Sequence, residues 1–224
     1  MQTRWTTPAA LLAGLGLAVC QYLIYVYAPL ETVMGPVQKI FYTHLPLAWW
    51  SFVSFFTVFV ASVAYLRTRN RTWDALAGAA AEVGVLFSGL ALVTGSIWGR
   101  HSWGTWWTWD PRLTTTLVMW FVYAGYLVLR SMNLPRDRRA TVCAVVGIAS
   151  FIDVPLVFVS ARLWRSIHPA VFASREGGLD PDMKLTAIAC VVVFGAFWAA
   201  LTGIRHAQVR QAERLDTLAT REAS

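Results

Sequence analysis

The chain has 224 residues, of which 57% are hydrophobic and 14% are charged, with a net charge of +7 and a mean hydropathy of +0.51. A soluble domain carries about 25% charged residues, so this composition excludes an ordinary soluble domain and indicates a protein surrounded by a lipid bilayer. The basic residues lie in short segments between apolar runs, which favours contacts with lipid headgroups and disfavours nucleic-acid binding.

Six apolar runs each approach the roughly 20 residues that a membrane-spanning helix needs. In chain order they are Ala9–Ala28, Pro46–Leu66, Leu76–Trp98, Leu113–Leu129, Thr141–Ser160 and Leu185–Ile204. The first run is predicted to be a retained span and not a signal peptide, because its apolar stretch is long and Pro29 follows the one candidate cleavage point. The predicted fold is therefore an all-α integral membrane protein, a single six-span domain over residues 1–224.

The basic residues also predict the orientation of these spans. Twelve of the 19 Lys and Arg residues fall on the side that holds both termini, and seven fall on the other side. Since positively charged loops stay in the cytoplasm, the N- and C-termini are predicted to be cytoplasmic. The outer segments are then Pro29–Leu45, Gly99–Arg112 and Ala161–Lys184.

The loop predicted between spans 3 and 4, residues 98–112, is unusually rich in tryptophan. Five of the twelve tryptophans lie there: Trp98, Trp103, Trp106, Trp107 and Trp109. The three that stand at i, i+3 and i+4 from position 103 would share one face of a helix. An aromatic belt spreads over several helix ends, so this density favours a platform for a large planar ligand. Arg100 and Arg112 are close enough in sequence to bind carboxylates of such a ligand.

The dipeptide Asp110-Pro111 predicts where the fourth span begins. An Asp side chain can cap the free amides of a helix, and Pro suits the first helical turn because its missing N–H has no partner there. The cysteines, Cys20, Cys143 and Cys190, form no CxxC, CxxCH or zinc-type pattern, and we predict that they are small buried hydrophobes.

Three of the four histidines, His44, His101 and His168, lie in the predicted outer segments. His44 stands at the mouth of the second span and His168 midway along the last outer segment. Two imidazoles on either side of a tryptophan platform suit axial ligation of the iron in a flat macrocycle. Zinc is a competing metal, but neither Cys ligands nor paired His spacing accompany them. From spacing alone, paired ligation and ordinary interfacial histidines remain alternatives.

Two acidic residues fall within the predicted spans, where charged groups are costly and often functional. Glu82 is close enough to the cytoplasmic end of its span to reach lipid headgroups. Asp153 lies near the outer end of the fifth span, with Arg162 and Arg165 two to three turns further on. A structural ion pair there is favoured over a proton relay.

The segment Trp103-Gly-Thr-Trp-Trp-Thr-Trp-Asp-Pro-Arg-Leu-Thr114 resembles the WWD signature, WGxWWxWDxRLT, of the haem-handling proteins of cytochrome c biogenesis. The flanking histidines match the pair found in those proteins. With six spans, the chain resembles the CcmC family in particular, along essentially its whole length. The larger relatives carry the same motif on chains with more spans or extra domains.

The resemblance implies non-covalent binding of haem b at the periplasmic face by a multi-pass protein of the bacterial inner membrane. The implied iron ligands are His44 and His168, and His101 is not assigned a role. The implied platform is Trp103, Gly104, Trp106, Trp107, Trp109 and Asp110, with Arg112 beside it. The family presents haem to the haem chaperone CcmE without acting as an enzyme, and no catalytic residue is implied. The other implied partners are the ABC transporter subunits CcmA and CcmB and the small single-span protein CcmD.

Two other functions stay open at this stage. A cytochrome c haem lyase or synthase would attach haem directly to apocytochrome, although little extramembrane mass is left to bind one. Haem attachment on co-expression with apocytochrome alone would favour that alternative. The other alternative is a haem-independent channel with an aromatic vestibule. Purified protein that shows no Soret absorbance after haem supply would favour it.

Overall fold

The computed structural model describes residues 5–164 and 179–222, and within them the chain is helical without a β-strand. The α-helices of these residues are α1 (Thr6–Tyr22), α2 (Phe41–Thr68), α3 (Arg71–Trp103), α4 (Pro111–Ser131), α5 (Arg136–Ser150), α6 (Asp153–Leu163) and α7 (Pro181–Glu222). A π-helical turn, Leu23–Tyr27, extends α1, and a 3-10 turn, Pro36–Ile40, leads directly into α2.

Six helical segments in the described ranges are long and apolar enough to cross a membrane, which confirms the predicted number. They are Thr6–Tyr27, Pro36–Thr68, Arg71–Trp103, Pro111–Ser131, Arg136–Ser160 and Pro181–Asp216. Most extend beyond the predicted apolar runs, because a helix continues into polar flanking residues that a hydropathy window leaves out.

The fifth span is broken between α5 and α6. Pro155 has no N–H to donate to the preceding turn, so the regular helical bonding is interrupted close to Phe151 and Ile152. Asp153 is the first residue of α6, and its Oδ2 is buried without a hydrogen-bond partner among the described residues. The side chains of Arg162 and Arg165 lie outside the described part, so the ion pair predicted for Asp153 stays a prediction.

The core lies where α2 packs against α3, α4 and α5. Phe55 of α2 and Tyr123 of α4 are buried and stack with their ring centroids 3.7 Å apart. A Cβ at Gly84 of α3 would come within 2.7 Å of the Phe55 ring and 2.8 Å of Ser54. The absence of a side chain at Gly84 therefore lets α3 approach α2 closely, as small residues do between membrane helices.

Ion pairs tie the helices together at the end of the bundle that holds the α4–α5 connection. Arg130 of α4 donates to Asp74 of α3 at 2.8 Å, and both side chains are largely buried. Arg205 of α7 donates through two nitrogens to Glu82, with Nη2 3.0 Å from Oε1. Glu82, predicted from sequence to reach headgroups, is therefore paired within the protein.

Polar contacts at the opposite end hold α1, α7 and the segment between α1 and α2. The Tyr27 hydroxyl donates to Asp182 Oδ1 of α7 at 2.8 Å, and Lys39 Nζ donates to the Tyr25 carbonyl oxygen at 3.2 Å. These bonds fix the start of α2, on which His44 lies.

Candidate functional site

A cavity of about 280 Å³ opens where α2, α3 and α4 meet the segment between α3 and α4. His44 lies in its wall together with four residues predicted to surround a planar ligand: Trp103, Trp106, Trp107 and Arg112. The rest of the wall is mainly apolar, with Phe52 of α2 and Val157 of α6 among its deeper residues. The fold thus gathers residues from separate predicted segments into one site.

The tryptophan-rich segment is partly helical. α3 continues to Trp103, where Gly104 adopts a left-handed conformation with φ of 74° and ends the helix. The non-helical part of the predicted loop 98–112 is therefore residues 104–110. The prediction that Trp103, Trp106 and Trp107 share one helix face is wrong, because the helix stops after the first of them. They come together by folding of the segment after Gly104.

Two hydrogen bonds hold this segment against α3, and a third lies within the segment. Ser96 Oγ donates to the Trp106 carbonyl oxygen at 2.6 Å, and Thr105 Oγ1 donates to the Trp107 carbonyl oxygen at 3.0 Å. Arg100 Nη1 donates to the Gly104 carbonyl oxygen. Arg100 therefore supports the backbone of the segment and does not line the cavity, whereas Arg112 does.

Asp110 begins α4 as the sequence predicts. Its Oδ1 accepts a hydrogen bond from the Arg112 N–H at 2.9 Å, and Pro111 is the first helical residue. Asp110 is only 8% exposed, so this capping side chain is buried at the end of the segment 104–110. The cap fixes the first turn of α4, from which Arg112 lines the cavity.

The indole rings have different environments. Trp98 is buried at the end of α3, with its ring centroid 6.5 Å from that of His44. Trp107 meets Trp109 edge to face at 6.0 Å. Trp106 and Trp109 are 59% and 77% exposed, and Trp109 and Gly104 lie outside the cavity wall. Of the predicted platform, the rings of Trp103, Trp106 and Trp107 thus line the cavity, whereas the ring of Trp109 lies outside its wall.

Two indole N–H groups in the cavity wall have no acceptor within the described residues: Nε1 of Trp98 and Nε1 of Trp107, both buried. Trp50, Trp120 and Trp198, inside the bundle, donate to protein oxygens at 2.8, 3.1 and 2.6 Å. A buried donor without a partner costs about 1–3 kcal/mol. The two unpaired donors therefore suit a ligand that carries hydrogen-bond acceptors.

His44 lies inside a helix and not at the end of a loop. α2 begins at Phe41, before the predicted start at Pro46, because the 3-10 turn Pro36–Ile40 continues into it. Pro46 lies inside α2, one turn after Tyr42, and its missing N–H leaves the Tyr42 carbonyl without its usual helical donor. His44 is partly buried, and its Nδ1 lies 3.0 Å from Thr94 Oγ1 of α3. A backbone hydrogen bond also links the His44 ring to Ala91 of α3.

The second predicted ligand, His168, lies outside the described residues, and its role stays a prediction. His101 lies on the last turn of α3, is exposed and does not line the cavity.

Five residues of α3 that line the cavity were not predicted from sequence: Ser88, Ala91, Leu92, Gly95 and Ser96. The signal was present, since small residues at positions 88, 91 and 95 lead to Trp98 at the spacing of one helix face.

A family model described as "CcmC: Heme exporter protein C" matches residues 1–220. The chain belongs to the CcmC family. The predicted resemblance, and with it the assignment to haem export, cytochrome c biogenesis and the membrane, is confirmed at the level of the family.

Several relatives of this CcmC-family chain are similar over most of their length. Heme exporter protein C of Bradyrhizobium diazoefficiens is 34% identical over 177 residues, which is 78% of this chain and 67% of the relative. Heme exporter protein C of Haemophilus influenzae is 31% identical over 182 residues, 80% and 74% of the two chains. A putative cytochrome c biosynthesis ccmC-like mitochondrial protein of Marchantia polymorpha is 32% identical over 187 residues, 84% and 78% of the two.

Proposed function

We propose that this chain binds haem as a cargo in the cavity, at the periplasmic face of the inner membrane, and presents it to CcmE for maturation of c-type cytochromes. The observation that carries the proposal is the position of one histidine, His44, in the wall of a largely apolar cavity that is also lined by Trp103, Trp106, Trp107 and Arg112. Imidazole, indole faces and a guanidinium are the groups that suit an iron, a macrocycle and its carboxylates.

Each residue of the wall has a separate task in this proposal. His44 binds the iron, and His168 supplies the second axial ligand. The indole rings pack on the macrocycle, while Arg112 and the unpaired N–H groups of Trp98 and Trp107 bind its carboxylates. Haem supplies the iron and the carboxylates, and the chain supplies binding and orientation.

The transfer step needs an open side of the site. Trp106 and Trp109 are exposed at the segment that closes the cavity, so CcmE can approach there. The sequence contains no Gly-rich phosphate loop ending in Lys-Ser or Lys-Thr, so we assign any ATP-driven step to CcmA and CcmB. CcmD completes the proposed complex, and the chain itself acts without enzymatic chemistry.

Replacement of either proposed ligand tests the site. His44→Ala and His168→Ala, each purified after haem supply, are expected to lose the low-spin optical spectrum and to bind haem at least about tenfold more weakly, because one axial bond is lost. The measurement is Soret absorbance and extractable haem per protein.

His101→Ala is the matched control, since His101 is exposed and lies outside the cavity wall. An unchanged spectrum and haem content in both ligand variants would overturn the ligand assignment. Loss of the spectrum and of bound haem in His101→Ala alone would mean that the iron binds at a site other than the proposed one.

A further inference from the structure

Another cavity lies at the end of the bundle opposite to the cavity that His44 lines. It has a volume of about 680 Å³ and opens where the start of α1, the start of α3 and the second half of α7 meet. Its wall carries hydroxyl, amide, imidazole and guanidinium groups, and none of its described residues is acidic. This space, here named the basic cavity, therefore suits an anion with several oxygens.

The cationic side of the basic cavity belongs to α7. His206, Arg210 and Arg214 line it at i, i+4 and i+8, so they share one face of the helix. Helical side chains lean toward the N-terminus of their helix, which for this part of α7 is the direction of the bilayer. The two guanidinium groups therefore lean back toward the headgroup layer.

Arg210 retains donors for an anion in the basic cavity. Its Nη1 donates to Glu213 Oε2 at 3.3 Å, and Glu213 lies outside the wall of this cavity. A guanidinium has five N–H donors, and this long bond uses one of them. Arg210 can thus bind an anion without losing its ion pair.

The imidazole of His206 has a buried nitrogen without a partner. Its Nε2 has no hydrogen-bond partner among the described residues, although the ring lines the basic cavity. Buried polar atoms are normally hydrogen-bonded, so an unpaired one points to a partner from outside the chain. A phosphate oxygen in the cavity would accept a hydrogen bond from Nε2–H.

The basic cavity lies at the edge of the hydrocarbon layer. The first span, Thr6–Tyr27, has 22 residues, or about 33 Å of helix, which is close to the roughly 30 Å of the layer. Ala10 of α1 and Ile204 of α7 form the part of the wall nearer the bilayer, and Arg210 and Arg214 lie about 9 and 15 Å further along α7. The wall therefore changes from apolar to cationic in the same direction as a phospholipid changes from acyl chain to phosphate.

We propose that the basic cavity binds the phosphate of an anionic glycerophospholipid. Arg210, Arg214 and His206 donate to the phosphate oxygens, and the acyl chains pass Ala10 and Ile204 into the bilayer. Basic pockets between membrane helices bind such headgroups on the cytoplasmic side, which is the side predicted for this end. The proposal does not depend on haem, because the cavity lined by His44 lies at the other end.

The proposed lipid connects α1 to the rest of this end of the bundle. α1 contains no charged residue, and the ion pairs between helices of the described residues join only α3, α4, α5 and α7. A phosphate held by α7 also reaches the start of α1, where Thr7 lines the same cavity. Binding of the lipid is therefore expected to stabilise the contact between α1 and α7.

Native mass spectrometry of the full chain measures the lipid that the protein retains. From micelles with equal amounts of phosphatidylglycerol and phosphatidylcholine, we expect the wild type to retain one phosphatidylglycerol in preference. Arg210→Gln and Arg214→Gln are each expected to weaken that preference about fivefold, as for the loss of one cation at an anionic membrane surface.

Arg138→Gln is the matched control, because it removes the same charge from an exposed position of α5 outside the wall of the basic cavity. It is expected to leave the preference unchanged. Equal retention of the two lipids by the wild type would overturn the proposal. The same loss in Arg138→Gln as in Arg210→Gln would also overturn it, since attraction by the whole basic surface would then explain the result.

Melting curves in a neutral detergent distinguish a lipid from a free phosphate ion. Phosphatidylglycerol is expected to raise the melting temperature of the wild type and not that of the Arg210→Gln, Arg214→Gln double variant. An equal rise with inorganic phosphate alone would overturn the lipid as occupant. His44→Ala is expected to respond to phosphatidylglycerol like the wild type, so a failure of the proposed haem site and a failure of the lipid site are distinguishable.

Discussion

The indole nitrogen of Trp107 is buried although the ring is only partly so. Its Nε1 has no acceptor within the described part of the chain, although the ring lies in the cavity wall. The desolvation of this donor is offset once a ligand acceptor reaches it. The same N–H therefore lowers the stability of the ligand-free protein slightly and raises its affinity for the ligand.

Trp107→Phe separates these two effects. It keeps an aromatic face and removes the donor, so haem affinity is expected to fall about tenfold, as for loss of a hydrogen bond to a charged group. The thermal stability of the haem-free protein is expected to stay the same or rise. Titration with haem, followed by Soret absorbance, and a melting curve in detergent measure the two quantities.

Trp49→Phe serves as the control, since Trp49 is 51% exposed on α2 and lies outside the cavity wall. Equal haem affinity in Trp107→Phe and wild type would show that this N–H is not part of the binding site.

Sequence alone predicted the types of residue at this site better than their contacts. The density of tryptophan and the motif identified Trp103, Trp106, Trp107 and Arg112, which all line the cavity. Arg100 has the same charge and similar spacing, yet it binds the backbone at Gly104. The difference depends on the left-handed turn after Trp103, which a residue pattern does not specify.

At the scale of the element, α4 depends on the Asp110 cap. Asp110→Ala removes the acceptor for the Arg112 N–H and is expected to lower the stability of the protein by about 1 kcal/mol. Asp110→Asn keeps an oxygen acceptor and is expected to lose much less. Melting temperatures of the purified variants in one detergent measure both changes.

Haem affinity provides a second measurement on the same pair of variants. Fraying of the first turn of α4 is expected to displace Arg112 and to weaken haem binding in Asp110→Ala more than in Asp110→Asn. An equal loss of stability in the two variants would mean that the charge, and not the cap, stabilises this turn.

The ends of elements were harder to predict than their existence. The apolar runs located six spans, but α2 begins at Phe41 and α3 ends at Trp103, five residues outside each predicted boundary. Hydropathy declines at the edge of the bilayer while backbone hydrogen bonding continues. His44 and Trp98 consequently lie on helices, where their neighbours at i+3 and i+4 and the facing helix determine their orientation.

At the scale of the whole molecule, the charge bias predicts which side of the membrane carries the cavity. Two exposed positions suit a labelling test: Val33, 87% exposed in the segment before α2, and Asn133 between α4 and α5. Each is replaced by cysteine, as Val33→Cys and Asn133→Cys. A membrane-impermeant maleimide added to spheroplasts is expected to label the first and not the second. After the membrane is disrupted, both are expected to be labelled.

The native cysteines give a low background in this experiment, because Cys20, Cys143 and Cys190 are all buried. The unsubstituted chain is the control for that background. Labelling of Asn133→Cys alone in intact spheroplasts would invert the topology and place the cavity on the cytoplasmic side.

The length of α7 has a consequence outside the bilayer. Its 42 residues, Pro181–Glu222, correspond to about 63 Å of helix, whereas the hydrocarbon layer is about 30 Å thick. Tyr27 holds its first turn beside the cavity end, and Glu82 and Arg136 bind it at the other end. The helix is therefore about 30 Å longer than the hydrocarbon layer is thick, so a protein that binds the last turns of α7 contacts helix and not a flexible linker.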